Sequence, residues 1–159
     1  MKGDSKVLEL LNEALKNELT ATNQYWLHYR LLDNWGVHKL AEFERSESID
    51  EMKHADRLAE RILFLDGLPN FQKLDRLHIG ENVEEILRGD MELELQALNQ
   101  LKGAIAHCEK VKDYVSRDLL SEILDSEEHH VDTLETQFEM IKRMGLDNYV
   151  QLQSEAAED

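Results

Sequence analysis

One tetrapeptide pattern occurs twice in this sequence, as Glu51-Met52-Lys53-His54 and as Glu127-Glu128-His129-His130. In a helix, residues i and i+3 lie on the same face, so each Glu-x-x-His would present a carboxylate and an imidazole together. The flanking sequence is rich in Leu, Glu, Lys, Ala and Arg, which are strong helix formers, and its apolar residues are spaced three and four apart. Both copies are therefore predicted to lie on long amphipathic helices.

Two further glutamates repeat the same spacing. Glu18 precedes Glu51 by 33 positions, and Glu94 precedes Glu127 by the same 33. Each of these glutamates lies within an apolar helical stripe, so its side chain is expected to face the core. At 1.5 Å per residue from turns near residues 36 and 113, the four lie at similar depths of roughly 21 to 28 Å. The pattern therefore predicts that they converge in the middle of a bundle.

Buried carboxylates need a counter-charge. Four buried glutamates without one would each cost several kcal/mol, which a marginally stable domain does not tolerate. One glutamate from each of two helices plus Glu-x-x-His from each of two others is a known di-iron or di-manganese pattern in four-helix bundles. We therefore predict a two-metal site formed by Glu18, Glu51, His54, Glu94, Glu127 and His130. Iron or manganese suits these ligands, zinc would also bind, and a solvated or ion-paired face is the alternative.

Glycine and proline divide the chain. Pro69 is the only proline, and the stretch 66–81 is predicted to be a loop between helices at about 4–34, 38–65, 82–111 and 115–144. A short helix is expected after Gly145 and disorder over 154–159. Some fifteen extended residues reach nearly 50 Å, against about 42 Å for a 28-residue helix, so the loop can cross the bundle and leave the second and third helices parallel. A shorter folded functional loop is the alternative.

The amino-acid composition limits the possible fold class, compartment and partners. With 42% hydrophobic residues, 159 residues suffice for one all-α domain, 1–159, without disulfides. The single Cys108 excludes an internal disulfide and favours a reducing compartment such as the cytoplasm. No apolar run of about 18 residues predicts a membrane span, and no apolar leader begins the chain. The net charge of −16 disfavours nucleic acid and suits cationic cargo, although a solubilising surface is the simpler interpretation.

Longer stretches resemble the bacterioferritin family over essentially the whole chain. They are Met1-Lys2-Gly3-Asp4, residues 47–57 around Glu51, Arg61-Ile62-Leu63-Phe64-Leu65, Gly67-Leu68-Pro69-Asn70 and Asp113-Tyr114-Val115-Ser116-Arg117-Asp118. The resemblance implies a ferritin-like bundle in which Glu51 and Glu127 bridge two irons. By the same resemblance, Glu18 and His54 complete one coordination shell, and Glu94 and His130 complete the other.

The resemblance also implies cofactors, partners and an activity. Met52 would ligate haem b together with the same residue of a second subunit, and haem-bridged dimers would build a hollow 24-subunit shell. The protein would oxidise Fe(II) with O2 or H2O2 and store the ferric mineral inside, and a ferredoxin-type reductant would supply electrons for iron release. Tyr25 would be a redox-active neighbour of the site, although core packing is the equal alternative, and Asp50 would assist iron on the cavity face.

Three positions depart from well-known members of the family, which have histidine, tyrosine and tryptophan where this chain has Ser46, Leu58 and Thr133. The first substitution bears on how iron or electrons pass inward. Two rival functions remain. One is a di-iron redox enzyme such as a rubrerythrin-like peroxidase or an oxygenase, and the other is a structural subunit without its own iron chemistry. Seven further residues receive no role from sequence, namely His28, Trp35, His38, His78, His107, Cys108 and His129.

Overall fold

The computed structural model describes residues 1–155, which form five α-helices and no strand. The helices are α1 (Ser5–Asn34), α2 (His38–Phe64), α3 (Val83–Lys110), α4 (Tyr114–Met144) and α5 (Leu146–Gln153). The all-α four-helix bundle with a short C-terminal helix is confirmed, and every predicted end of α1 to α4 lies within one residue of the observed one.

Polar side chains explain where three helices begin. The carboxylate of Asp4 accepts the N–H groups of Lys6 and Val7 at the start of α1. Asn82 and Asp113 cap α3 and α4 in the same way. Because a side-chain acceptor satisfies amide donors that have no partner within the helix, each of these caps sets the first residue of its helix. The Asp113 cap places the start of α4 one residue before the predicted position.

The α2–α3 connection, residues 65–82, runs along the outside of α1. Four of its backbone N–H groups donate to α1 side chains: Asn70 to Asn12, Asp75 to Thr20, His78 to Gln24 and Gly80 to His28, at 2.9 to 3.1 Å. From residue 12 to residue 28, an α-helix rises about 24 Å, so the loop travels most of the bundle's length. The predicted crossover is confirmed, and α2 and α3 begin at the same end and run parallel.

The packing order follows from the three connections. α1 packs against α2 and α3, and α4 packs against α3 and α2, so that α2 and α3 lie on a diagonal. Two apolar clusters fill the bundle. One contains Leu11, Leu58 and Leu120, and the other contains Leu32 and Leu87. On α2, α3 and α4 the buried glutamates and histidines occupy the sequence positions between the two clusters, and on α1 Glu18 lies next to Leu19, the last α1 residue of the first cluster.

The C-terminal segment is ordered further than predicted. Tyr149 of α5 is buried and donates its hydroxyl to Gln137 of α4. Ser154, predicted to be disordered, ends α5 by hydrogen bonding to the carbonyl oxygens of Gln151 and Val150. The disorder predicted for residues 156–159 lies outside the described residues. Among the described helices, none has a stretch both long and apolar enough to cross a membrane.

Candidate metal centre

The structure brings all six sequence-predicted metal ligands together between the two apolar clusters. Five of them are buried to within 7% exposure, and His54 is slightly more open. The six are contributed by all four long helices: Glu18 by α1, Glu51 and His54 by α2, Glu94 by α3, and Glu127 and His130 by α4. Each helix thus carries the ligand positions that the 33-residue repeat predicts.

The donor atoms form two overlapping groups. Glu18, Glu51, His54 and Glu127 offer donor atoms that lie within 4.8 Å of one another, and so do Glu51, Glu94, Glu127 and His130. Glu51 and Glu127 belong to both groups. This is the arrangement expected for two adjacent metal ions that share two carboxylates and have one further carboxylate and one imidazole each.

The distances between the imidazoles and the carboxylates are short. His54 Nδ1 lies 3.2 Å from Glu127 Oε1 and 3.6 Å from Glu51 Oε2. His130 Nδ1 lies 3.0 Å from Glu51 Oε1 and 3.4 Å from Glu127 Oε2. Both imidazoles therefore approach the same two shared glutamates.

These short distances do not amount to a complete set of hydrogen bonds among the six residues. Within residues 1–155, no hydrogen bond is formed by either oxygen of Glu51, by Glu94 Oε2, by Glu127 Oε1, or by the Nδ1 atoms of His54 and His130. Buried polar atoms are normally paired, so six unpaired donor atoms that converge on a common space require an explanation. Divalent metal ions supply it, since each ion would take the lone pairs of several of these atoms at once.

The pKa shifts of the candidate ligands also indicate that positive charge is favoured at this place. Burial raises the pKa of Glu94 well above its usual value, and the charge of Glu127 adds to this effect. Burial opposes protonation of His54, but Glu127 and Glu51 outweigh it and raise its pKa to about 9. Burial likewise opposes protonation of His130, yet Glu127, Glu47 and the other carboxylates hold its pKa far above the ordinary value. The direction of all three pKa shifts shows that this cluster of carboxylates favours positive charge beside it, which a metal ion would supply.

Two residues adjoin the ligands. Tyr25, an accessory residue suggested by the resemblance, is buried and donates its hydroxyl to Glu94 Oε1 at 2.5 Å. Burial and the charge of Glu94 raise the pKa of this phenol well above its usual value. Glu47, which sequence reasoning missed, lies 2.6 Å from His130 Nε2. Its position four residues before Glu51 places it on the same face of α2, which is the signal that could have identified it.

The remaining predicted residues lie around the site. A donor atom of Asp50 comes within 4.8 Å of donor atoms of Glu47 and His130, whereas Ser46 is exposed. Leu58 is fully buried in an apolar cluster and offers no polar atom. Met52 is 42% exposed, on the surface of α2 and outside the core.

A second buried polar group was also missed. His28, Glu44 and Asp90 are fully buried, and one donor atom of each lies within 4.8 Å of the others. The available signal was again spacing, since Glu44 lies seven residues before Glu51 and Asp90 four before Glu94. The group comes from three helices, so no short motif marks it.

A crossover four-helix bundle with two carboxylate-sharing donor groups in its core defines a ferritin-like metal-binding protein. The family model described as "Ferritin-like domain" matches residues 8–144. The chain is 49% identical over 159 residues to the bacterioferritin of Brucella melitensis, covering 100% of this chain and 99% of that protein. It is 50% identical over 145 residues to that of Rhodobacter capsulatus, covering 91% and 90%. It is 47% identical over 150 residues to that of Streptomyces coelicolor, covering 94% and 90%. The chain belongs to the bacterioferritin family.

Proposed function

We propose that this chain stores and detoxifies iron, and that it does so by oxidising Fe(II) to Fe(III) within each subunit. Family membership and the metal centre support iron storage. The observation that carries the ferroxidase proposal is the pair of donor groups that share Glu51 and Glu127. Two irons bound there are adjacent, so they can deliver two electrons to one molecule of O2 or H2O2. One domain, residues 1–159, would hold the whole centre.

The proposed ligand roles follow the two donor groups. Glu51 and Glu127 would bridge the two irons, Glu18 and His54 would complete the shell of one, and Glu94 and His130 would complete the shell of the other. Four carboxylates balance two divalent cations, so the occupied site is electrically neutral and its burial no longer carries the charge penalty. Carboxylate oxygens with one imidazole per ion suit iron.

The protein's own residues prepare the reaction in three ways. The four helices fix the ligands so that Fe(II) binds without reorganising the bundle. The two apolar clusters, one on each side of the buried ligands, exclude bulk water. Without water to screen them, the carboxylates stabilise the more highly charged Fe(III) product more strongly. The Tyr25 hydroxyl donates to Glu94 Oε1, and Glu47 lies against His130 Nε2. Contacts of this kind, outside the ligand set itself, orient metal ligands. Asp50, close to Glu47, is the proposed next residue on the iron path toward the cavity face.

Haem b, the shell and the compartment belong to the proposal as well. Met52 is exposed and outside the core, which fits a ligand reserved for a group at a subunit boundary. Two such thioethers, one from each subunit of a dimer, would hold a haem that supplies an electron-transfer centre. Twelve such dimers would form a 24-subunit cytoplasmic shell around the mineral, and a ferredoxin-type reductant would supply electrons for iron release.

Anaerobic titration with Fe(II), followed by oxygen, tests the ferroxidase proposal. Metal-free protein is expected to bind two Fe(II) per subunit and to give a fast ferric absorbance phase on mixing with oxygen. The double variant Glu94→Ala/Glu127→Ala is expected to assemble normally and to lose the fast phase. A variant of the adjacent exposed residue, Glu128→Ala, serves as the control. Unchanged initial rates in the double variant would contradict the site assignment.

The same measurement separates storage from the rival redox-enzyme function. A storage protein is expected to continue oxidising iron far beyond two per subunit and to retain the product as a particle that co-sediments with the shell. A rubrerythrin-like peroxidase or an oxygenase would oxidise its two irons and then stop, unless a reductant were supplied.

A further inference from the structure

Glu44 and Asp90 form a buried pair of carboxylates next to the iron centre. Both side chains are fully buried, Glu44 on α2 and Asp90 on α3. Along their helices they lie about 10 Å from Glu51 and about 6 Å from Glu94, taking 1.5 Å per residue. Neither residue belongs to either iron donor group, although both lie beside those groups in the buried polar region between the two apolar clusters.

One oxygen of Asp90 is held in place by two donors. Oδ1 accepts from the Gln24 side-chain amide at 3.1 Å and lies 2.9 Å from His28 Nδ1. The second nitrogen of His28, Nε2, accepts the backbone N–H of Gly80 at 3.1 Å. Because Nε2 acts as an acceptor, the ring proton resides on Nδ1, and His28 is a neutral donor to Asp90. His28 therefore contributes no positive charge.

The other three oxygens of the pair have no hydrogen-bond partner. Within residues 1–155, Asp90 Oδ2 and both oxygens of Glu44 are buried and unpaired. Over the same residues, the only ion-pair contact of either carboxylate is that of Asp90 with the neutral His28. Burial, with a further contribution from Asp90, raises the pKa of Glu44 well above its usual value. The pair must therefore hold either a proton or a cation, because two uncompensated buried charges would be very unstable.

We propose that Glu44 and Asp90 bind one additional divalent cation per subunit, through both oxygens of Glu44 and through Asp90 Oδ2. Two carboxylates neutralise one divalent ion. Three protein oxygens, with water completing the shell, suit a hard ion such as Mn(II) or Fe(II). His28 and Gln24 act as outer contacts that orient the Asp90 carboxylate, as is common at metal sites. The ion takes the place of the proton that the pair holds in its absence.

This site is separate from the proposed ferroxidase ligands, so its test avoids iron oxidation. The assembled, metal-free Glu94→Ala/Glu127→Ala protein is titrated with Mn(II) at neutral pH, and free Mn(II) is counted by electron paramagnetic resonance. Adding Glu44→Gln, which conserves the shape of the side chain, is expected to lower the number of bound Mn(II) by one per subunit. Asp90→Asn is expected to have the same effect.

Two controls make the result specific. Glu42→Gln in the same background is expected to bind as many Mn(II) ions as the parent, since Glu42 is an exposed carboxylate on the same helix as Glu44. Crystals soaked in Mn(II) are expected to show an anomalous peak between Glu44 and Asp90. If Glu44→Gln and Asp90→Asn, both folded as judged by circular dichroism, bind as much Mn(II) as the parent, the proposal is wrong and the pair is an acid dimer that shares a proton. Failure of the ferroxidase proposal would leave this result untouched.

Discussion

Individual ligands of the metal centre differ in how many donor groups they serve. Glu127 belongs to both groups, whereas Glu18 belongs to one. A ligand that bridges two ions should therefore matter to both ions, and a terminal ligand mainly to one. Both side chains are buried, so substituting either one changes the metal centre and not the protein surface. Single substitutions can therefore distinguish the two roles.

We predict that Glu127→Ala abolishes tight binding at both positions, whereas Glu18→Ala leaves one tightly bound ion per subunit. The measurement is the number of Co(II) or Zn(II) ions retained after equilibrium dialysis. Glu128→Ala should retain two ions, since its side chain is exposed. Equal losses in the Glu18 and Glu127 variants would contradict the bridging assignment.

The Tyr25 hydroxyl is the single hydrogen-bond donor found for Glu94 within residues 1–155, because Glu94 Oε2 is unpaired. Tyr25→Phe should therefore free this ligand to move. We expect roughly a 10-fold slower oxidation of Fe(II), the lower end of the effect of removing an outer contact at a metal site. Stopped-flow absorbance gives the rate.

Tyr29→Phe is the matched control, since the hydroxyl of Tyr29 accepts a hydrogen bond from the exposed side chain of Arg30 and from no other residue within 1–155. Its oxidation rate should equal that of the unaltered protein. Equal rates for Tyr25→Phe and Tyr29→Phe would show that Tyr25 contributes only packing.

Sequence reasoning located the six proposed ligands because a helix converts spacing directly into a shared face. It missed the group of His28, Glu44 and Asp90 because each of these residues lies on a different helix, so no short motif joins them. Charged residues on amphipathic helices are common, and only the packing of three helices shows that these are buried together. Glu47 was missed for a related reason, since its partner His130 lies on another helix.

At the scale of the elements, α3 and the crossover loop approach each other closely at a glycine. A Cβ atom on Gly89 would lie 2.5 Å from the carbonyl oxygen of His78, which is backbone and has little room to move. On the same helix, a Cβ atom on Gly103 would meet nothing within 4 Å. The structure therefore requires glycine at position 89 but has room for a side chain at position 103.

We predict that Gly89→Ala and Gly103→Ala change stability in opposite directions. Gly89→Ala should push the loop off α3 and destabilise the protein, whereas Gly103→Ala should stabilise it by about 0.5 to 1 kcal/mol, the usual gain of alanine over glycine in a helix. Denaturant unfolding of the two variants in parallel provides the comparison. Stabilisation by Gly89→Ala would contradict the described position of the loop.

The helices were predictable to within one residue because caps, glycines and the single proline mark their ends locally. The path of the loop was predictable only from its length, since an extended chain of that size can span the bundle. Its attachment to α1 through Thr20, Gln24 and His28 was not predictable. These polar side chains resemble ordinary helix residues until their partners, the loop amides, are known.

At the scale of the whole molecule, each subunit carries a net charge of −16. A shell of such subunits should attract Fe(II) and accelerate its arrival. Raising the ionic strength from about 0.01 M to about 1 M shortens the screening length from roughly 30 Å to 3 Å. We therefore expect the initial rate of Fe(II) oxidation at subsaturating iron to fall severalfold over this range. The rate at saturating iron is the internal control, since arrival no longer limits it; identical salt dependence at both concentrations would contradict electrostatic attraction.

The proposed haem site would also be a property of the assembly, because one subunit offers one Met52 thioether. We predict that Met52→Leu removes the haem absorbance of the purified shell and leaves Fe(II) binding at two ions per subunit. Met91→Leu, a substitution in an apolar cluster, should leave the haem spectrum unchanged. A haem spectrum that survives Met52→Leu unaltered would exclude Met52 as the ligand.

The 33-residue recurrence also bears on how the chain arose. Each half, residues 5–64 and 83–144, is a helical hairpin with one glutamate on its first helix and one Glu-x-x-His on its second. Duplication of a single ancestral hairpin gene would leave this pattern. Such an ancestor would have held only half of the proposed ligands, so it would have bound two metals only by pairing with a copy of itself. Gene fusion would then have turned that pairing into one polypeptide, with the crossover loop as the segment joining the two copies.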